Sequence, residues 1–360
     1  STSRRQRQMC IRDRMNIVHA LGLTFGMVYD NDKSLNTLKY GKVLILPDPD
    51  TDGIHIEGLV LNFFHHYFPS LLQGQFIQSM KIPIIRTSTR EYYSELTLNQ
   101  NKVPAKDVKY FKGLGTVTHK DVPNVFGKKI VEFVYDSETN ACIDKAFKDD
   151  LTEERKQWLM EWVPNQASTL DDPLRIIKLN ISNFINKYLI QYSVDDCKRS
   201  LVNIMDGLKE SQRKVIYGIR KQHDLVKVAQ LAGFVAQKTD YKHGEQNLCD
   251  TIIRMAQNFV GSNNIPLLYQ SGQFGSRLNG GKDSASPRYI FTKQSNILPY
   301  LIREEDDPIL IYPDSSEPTY YLPILPLVLI NGSHGVGTGF SCSIPSYNPC
   351  LLYTSDAADD

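Results

Sequence analysis

A phenol directly follows a guanidinium at Arg288-Tyr289, and the pair comes after a glycine-rich basic loop running from Gly272 to Gly281 and on through Lys282. A free tyrosine is a poor nucleophile, because a phenol with a pKa of about 10 keeps its proton at neutral pH. A neighbouring positive charge favours the phenolate, and a basic loop attracts phosphate. In such a setting Tyr289 can attack a phosphodiester and hold the cut strand as a phosphotyrosine. The plain alternative is a strand tyrosine after a turn. With 19 tyrosines in the chain, an arbitrary Arg-Tyr pair says little by itself, so its surroundings must decide.

A second group is acidic. Asp48-Pro-Asp50-Thr-Asp52-Gly53 places carboxylates at i, i+2 and i+4. Such carboxylates repel one another unless a cation neutralises them, and a hard divalent ion such as Mg²⁺ suits oxygen ligands on a short loop. A calcium EF-hand loop begins the same way but needs a glutamate at its twelfth position, where Leu59 stands. A solvated acidic turn is the alternative to a magnesium site. Lys109-Tyr-Phe-Lys112-Gly-Leu-Gly-Thr116 is a glycine-rich loop in which Lys112 can meet a phosphate. It lacks the Gly-Lys-Ser/Thr ending of a Walker A loop, and a tight glycine turn is its ordinary reading. His243, within Tyr241-Lys-His-Gly-Glu245, suits a proton shuttle or a phosphate ligand as well as a helix cap or a surface position.

The elements that position these groups are partly legible. Lys42-Val-Leu-Ile-Leu-Pro47 is a short apolar run that reads as a buried strand. From Ile54 the apolar residues Ile56, Leu59, Val60, Phe63 and Tyr67 recur at helical spacing, giving strand, acidic turn, helix. Open α/β sheets hold ligands at such carboxyl ends of strands. Charged residues between Lys145 and Lys156, then Pro164 and Pro173, read as a domain junction. Residues 198–221 carry a local charge of +5, which reads either as a solvated helix face or as a patch that binds a phosphate backbone. Leu248, Ile252, Met255 and Phe259 mark an amphipathic helix, and the glycines after Ile330 mark a β-hairpin.

The 360 residues suffice for two or three domains with real cores, and 41% hydrophobic with 22% charged residues is an ordinary globular composition. Six scattered cysteines without a C-x-x-C pair support neither a zinc knuckle nor a disulfide frame. The longest apolar run, Tyr320 to Ile330, is too short to span a bilayer. Residues 1–14 and 351–360 resemble translated sequencing-adapter tracts, and without them the formal charge moves from +1 to 0. The basic head is therefore not read as a nucleic-acid arm.

Taken together, these stretches resemble eukaryotic-type (type IIA) DNA topoisomerase II. The likeness covers nearly all of 15–349 and is most specific over Ser271–Thr292, which is similar to the segment bearing the active tyrosine. The acidic turn is similar to the Asp-x-Asp-x-Asp-Gly element of the TOPRIM metal site, and Lys112–Thr116 to the Lys-Gly-Leu-Gly-Thr signature. Leu201–Val215 resembles the opening of a winged-helix domain, and Pro323–Gly339 the start of a tower domain. The resemblance implies an α/β, Rossmann-like TOPRIM part over 15–145, linker helices and a mainly α winged-helix domain over 146–325, and the start of an α+β tower over 326–350.

It also implies roles. Tyr289 would be the strand-cleaving nucleophile, Arg288 would steady the scissile phosphate, and Arg213 and His243 would assist. Lys242 stands where the family usually has a first histidine. Asp48, Asp50 and Asp52 would hold Mg²⁺. Lys112, Lys214 and Lys282 would contact DNA, and Val336 would stand where the family inserts an isoleucine between base pairs. The partners implied are double-stranded DNA and a second copy of the chain, without a membrane. ATP would act through a domain this sequence does not contain, as would a glutamate from an upstream Glu-Gly-Asp-Ser-Ala element. Bacterial enzymes divide the acidic and tyrosine segments between two polypeptides, so their presence on one chain favours a cellular eukaryotic or large-DNA-virus enzyme. The implied locations are the nucleus for the former and a viral factory or host cytoplasm or nucleus for the latter. Two other classes remain open on the residues alone: a non-catalytic DNA-bending module, and a magnesium-dependent phosphohydrolase or nuclease using only the aspartates.

Overall fold

A computed structural model describes residues 11–87, 90–93, 108–163, 174–239, 241–313 and 316–356. Pro164, Pro173, most of the expected head and part of the expected tail lie outside them. The chain forms two compact units, residues 1–196 and 197–360.

In the first unit, helix α1 (Ile11–Leu21) runs through the expected head boundary, and Arg14 Nη1 donates to the Tyr67 hydroxyl at 2.9 Å. Strand β1 (Val43–Ile45) leads through the acidic turn into α2 (Thr51–Tyr67). Leu61 and Phe64 of α2 are fully buried, as the helical spacing predicts. The chain returns along β2 (Ile77–Met80), parallel to β1 with Val43 opposite Ile77. Parallel neighbours need such a crossover, and a helix is the usual one. Glu57 of α2 is fully buried; Lys81 Nζ meets both its oxygens at 2.5 Å and the Ser79 hydroxyl donates to it.

A small antiparallel sheet follows, with β3 (Ile85–Arg86) between β4 (Glu91–Tyr92) and β5 (Lys109–Tyr110). The main sheet is completed by β6 (Ile130–Val134), α3 (Thr139–Phe147) and β7 (Ile176–Asn180), in the order β1-β2-β6-β7. Because β7 pairs in parallel with β6, residues beyond 145 stay with the first unit. The expected boundary after 145 therefore differs from the observed division between Asp196 and Cys197.

The second unit packs three helices, α4 (Glu210–Ile219), α5 (Val228–Lys238) and α6 (Glu245–Ala256), around a shared core. Val215, Ile216, Ile219, Leu231, Val235, Leu248 and Ile252 are fully buried in it. β8 (Val226–Lys227) pairs antiparallel with β9 (Phe291–Thr292). Helix α6 stops before Phe259, because side chains take over its last carbonyls. Asn263 Nδ2 donates to Arg254 O at 2.7 Å, and Gln270 Nε2 to Ala256 O at 2.7 Å. The expected hairpin is present as β10 (Ser333–Val336) and β11 (Ser341–Ile344).

The charge run at 198–221 is not an open basic surface. Arg213 is buried, with Nε 2.7 Å from Asp206 Oδ2 and Nη2 donating to Asp206 Oδ1 and to Leu208 O. Asp206 also accepts from the amides of Leu208 and Tyr321, so this ion pair joins the start of α4 to the chain near 321. Lys214 is only 4% exposed and lies 2.5 Å from Glu317 and 3.6 Å from Glu210. Arg220 makes two hydrogen bonds to Asp307. Arg213 as a group at the reaction centre and Lys214 as a DNA contact are thus corrected to internal struts: amphipathic α4 turns that part of its basic face toward distant acids.

Removing one member of a buried pair leaves an uncompensated charge, at a cost of about 3–5 kcal/mol. Asp206→Ala and Arg213→Ala should each lower the unfolding free energy by about that much, and the double replacement Asp206→Leu/Arg213→Met by less than their sum. Urea unfolding measures it. Losses below about 1 kcal/mol for both singles, as at a surface pair, would contradict the strut.

Candidate active site

The acidic turn of the first unit is neutralised locally. Asp50 is the N-cap of α2, its Oδ1 accepting from Gly53 N at 2.8 Å, and Asp52 lies in the helix's first turn. Both carboxylates sit where the helix dipole favours negative charge. Asp48 accepts instead from the amide of Leu114 at 3.1 Å, so the acidic turn meets the Lys112–Thr116 loop across 66 residues of sequence. Gly113 makes that approach possible: its φ is +82°, and a Cβ there would stand 2.4 Å from Asp48 Oδ1.

The glycine loop itself is closed by Thr116, whose hydroxyl accepts from Lys112 N at 3.0 Å and donates to Gly113 O at 2.8 Å. At its base Asp121 accepts from Lys109 Nζ and from the Thr118 hydroxyl, and these bonds hold its carboxyl at about 2. The Lys112 side chain is exposed. Among the described residues no three acids, histidines or cysteines stand in a metal-ligating arrangement. The donor chemistry nevertheless fits magnesium, which takes one or two carboxylates and keeps several waters. The hydrogen bonds to Asp48 and Asp50 each use Oδ1.

In the second unit Tyr289 is held outward. Its side chain is 67% exposed, and the Arg288 guanidinium carbon lies 5.3 Å from its ring centroid. The backbone on either side is fixed. Tyr289 N donates to Ser286 O at 2.9 Å, Ala229 N to Pro287 O at 3.2 Å, and Val228 N to Ile290 O at 3.0 Å. Ser271 and Phe291 exchange both backbone bonds. The first turn of α5 thus supplies otherwise unpaired amides to the tyrosine segment. The preceding loop is closed by Ala285 N to Gln273 O and by Asp283, which accepts from both the amide and the hydroxyl of Ser276.

Lys282 is exposed. His243 is exposed just before α6, its ring 5.6 Å from that of Tyr241. Val336 is half-buried at the end of β10, opposite Ser341 and beside the turn closed by Gly337 N to Phe340 O. In this unit the described contacts gather Arg288 with Tyr289, whereas Arg213 and Lys214 belong to the internal ion pairs. Sequence reasoning missed Asp206, Asp283 and Gln257. Asp206 had a legible signal, an acid seven residues before Arg213 in a basic run; the other two are ordinary polar residues whose partners appear only on folding.

Residues 78–197 match the C-terminal associated domain of TOPRIM, and residues 199–353 match the A-type polypeptide of DNA gyrase/topoisomerase IV. A viral protein named DNA topoisomerase 2, from Invertebrate iridescent virus 6, is 55% identical over 358 residues. The chain belongs to the type II DNA topoisomerase family. The two matched ranges adjoin where the compact units divide. The viral relative is matched over 93% of this chain and 32% of its own length. Human DNA topoisomerase 2-alpha is 43% identical, over 92% of this chain and 24% of its own length. The chain therefore spans about a third or less of these relatives. The solved DNA-binding, cleavage and re-ligation domain of Plasmodium falciparum topoisomerase II superposes with a TM-score of 0.75 at 36% identity, covering 98% of this chain and 51% of that one. Both family segments lie on one chain here, as the resemblance implied.

Hydrogen bonds from the Ser276 amide and hydroxyl hold Asp283 at about 2, below its usual 3.8. A depressed carboxylate contributes its full share to loop closure above the ordinary value and loses it as the pH falls through the lowered one. The Ser276 amide resonance should therefore stay unchanged from neutral pH to about 4 and shift toward pH 2. A midpoint near the ordinary value would show that this closure is absent in solution.

Proposed function

We propose that this chain supplies the strand-cutting and rejoining centre of a type II topoisomerase. The Tyr289 phenol oxygen attacks the phosphorus of one DNA strand and forms a 5′-phosphotyrosyl bond while the sugar 3′ oxygen leaves. Religation is the reverse, the 3′ hydroxyl attacking the phosphotyrosine and releasing the phenol. One phosphodiester replaces another at similar energy, so the break is reversible. The observation that carries this reading is an exposed tyrosine on a segment whose backbone is fixed on both sides, in a chain of this family.

Arg288 stands beside the phenol and would steady the phosphate, and exposed Lys112 and Lys282 would contact the backbone of double-stranded DNA. His243 would carry a proton. Asp48, Asp50 and Asp52 would hold Mg²⁺, which when bound offsets charge developing on the phosphate and the leaving oxygen. Leu114's amide and Gly113's missing side chain keep Asp48 at the glycine loop. We read the first unit as a TOPRIM part with its associated segment, and the second as a winged-helix domain followed by the hairpin that begins a tower. On that hairpin Val336 would wedge between base pairs; valine is one methylene shorter than isoleucine, so the wedge would be shallower. Two copies would each bring one tyrosine, giving a staggered double-strand cut through which a second duplex passes. ATP would act through a region of the whole protein that is not in this sequence.

Denaturing gels of DNA treated with the full-length enzyme should show protein joined to 5′ ends, and Tyr289→Phe should abolish the joined species. A magnesium-dependent cut that survives Tyr289→Phe would indicate hydrolysis at the acidic turn instead. The 360-residue chain alone should bind DNA yet cut it poorly. Its affinity should fall at least about tenfold between about 50 and 200 mM salt, because phosphate contacts dominate. A flat salt response would remove Lys112 and Lys282 as contacts.

A further inference from the structure

We infer that Gln257 is a positioning residue for the tyrosine segment, an inference that rests on the cleavage reading above. Gln257 follows the last residue of α6 and is 5% exposed. Its backbone is fixed twice: the amide donates to Ile253 O at 3.1 Å, and its carbonyl accepts from Asn263 Nδ2 at 2.8 Å. Its side-chain amide then reaches into the glycine loop. Nε2 donates to Phe274 O at 2.8 Å and to Gly281 O at 3.2 Å, tying together the two arms of the loop that leads to Tyr289.

The chemistry of that contact is selective. Both partners are carbonyl oxygens, so the buried group between them must be a donor, and a primary amide supplies two N–H bonds without charge. A carboxylate of the same shape would set negative oxygens against two carbonyls in a buried place. The fit is also tight. A Cβ at Gly281 would lie 2.3 Å from Gln257 Nε2, so glycine is the residue that admits the amide. Gly281 has φ of +75° as well, which disfavours any side chain.

From the loop the constraint passes to the tyrosine through short covalent and hydrogen-bonded steps. Ala285 is bonded back to Gln273, next to Phe274, and Asp283 to Ser276. Residues 287–290 are bonded to the start of α5. Tyr289 is thus referenced to α5 by its own backbone and to the end of α6 through Gln257. Gln257 need not touch DNA. Its part is to fix where the loop stands, and small displacements of a reacting group are costly in rate.

The test uses Gln257→Glu, with Gly281→Ala as an independent variant approaching the same contact from the other side. In the full-length enzyme each should lower the amount of 5′-joined DNA by roughly tenfold or more while DNA affinity changes less than about twofold. In the 360-residue chain, hydrogen exchange should quicken over residues 271–289 and stay as in the parent over α5. That localised pattern separates positioning from a general loss of stability. If either folded variant joins DNA as well as the parent, or if exchange quickens equally in α5, the inference is overturned. If the parent enzyme joins DNA on another residue or not at all, the cleavage reading itself has failed, and the exchange experiment still reports whether Gln257 orders the loop.

Discussion

The set of backbone hydrogen bonds around residues 286–292 is the constraint on which the rest of the second unit depends. A tyrosine that must meet a phosphate has to leave the core, yet an exposed ring on a free loop would wander. Here the ring is out and the main chain is held. Val228 and Ala229 donate the amides that a helix start leaves unpaired, and Phe291 pairs with Lys227 and with Ser271. The buried three-helix core beneath α5 gives those donors a fixed place. Packing of apolar side chains therefore sets the position of a group that has almost no packing of its own.

Charge is handled in two opposite ways. In the second unit Arg213, Lys214 and Arg220 turn toward Asp206, Glu317 and Asp307, which converts a basic run into cross-braces between distant parts of the chain. In the first unit the acids stay at the surface end of β1, where the start of α2 and the amide of Leu114 quiet them. Such carboxylates are stable without a cation and remain chemically suited to one. A carboxylate cluster is thus compatible with folding first and binding metal afterwards.

Much of this is legible in the residues. The run from Lys42 to Pro47 and the spacing after Ile54 point to the strand and helix, because burial on one side imposes those periods. Glycine placement after Ile330 points to the hairpin. The resemblance carried by Ser271–Thr292 points to the family without any structure. What stays hidden depends on partners far along the chain. Nothing local distinguishes Lys214, buried against Glu317, from an exposed lysine such as Lys221. The apolar spacing starts the helix three residues late, at Ile54 rather than Thr51, because Asp50 reads as a metal ligand and its second use as a cap shows only on folding. The unit boundary is missed for a similar reason: β7 joins the first sheet by pairing with β6, which no local pattern announces.

The central claim is that one phenol oxygen becomes bonded to DNA phosphorus. The most direct measurement is mass spectrometry of the proteolysed, nuclease-trimmed covalent adduct of the full-length enzyme. A peptide spanning 289 should carry a nucleotide through its 5′ phosphate, with fragmentation placing the added mass on Tyr289. A nucleotide found on any other side chain, or joined through its 3′ phosphate, would contradict it.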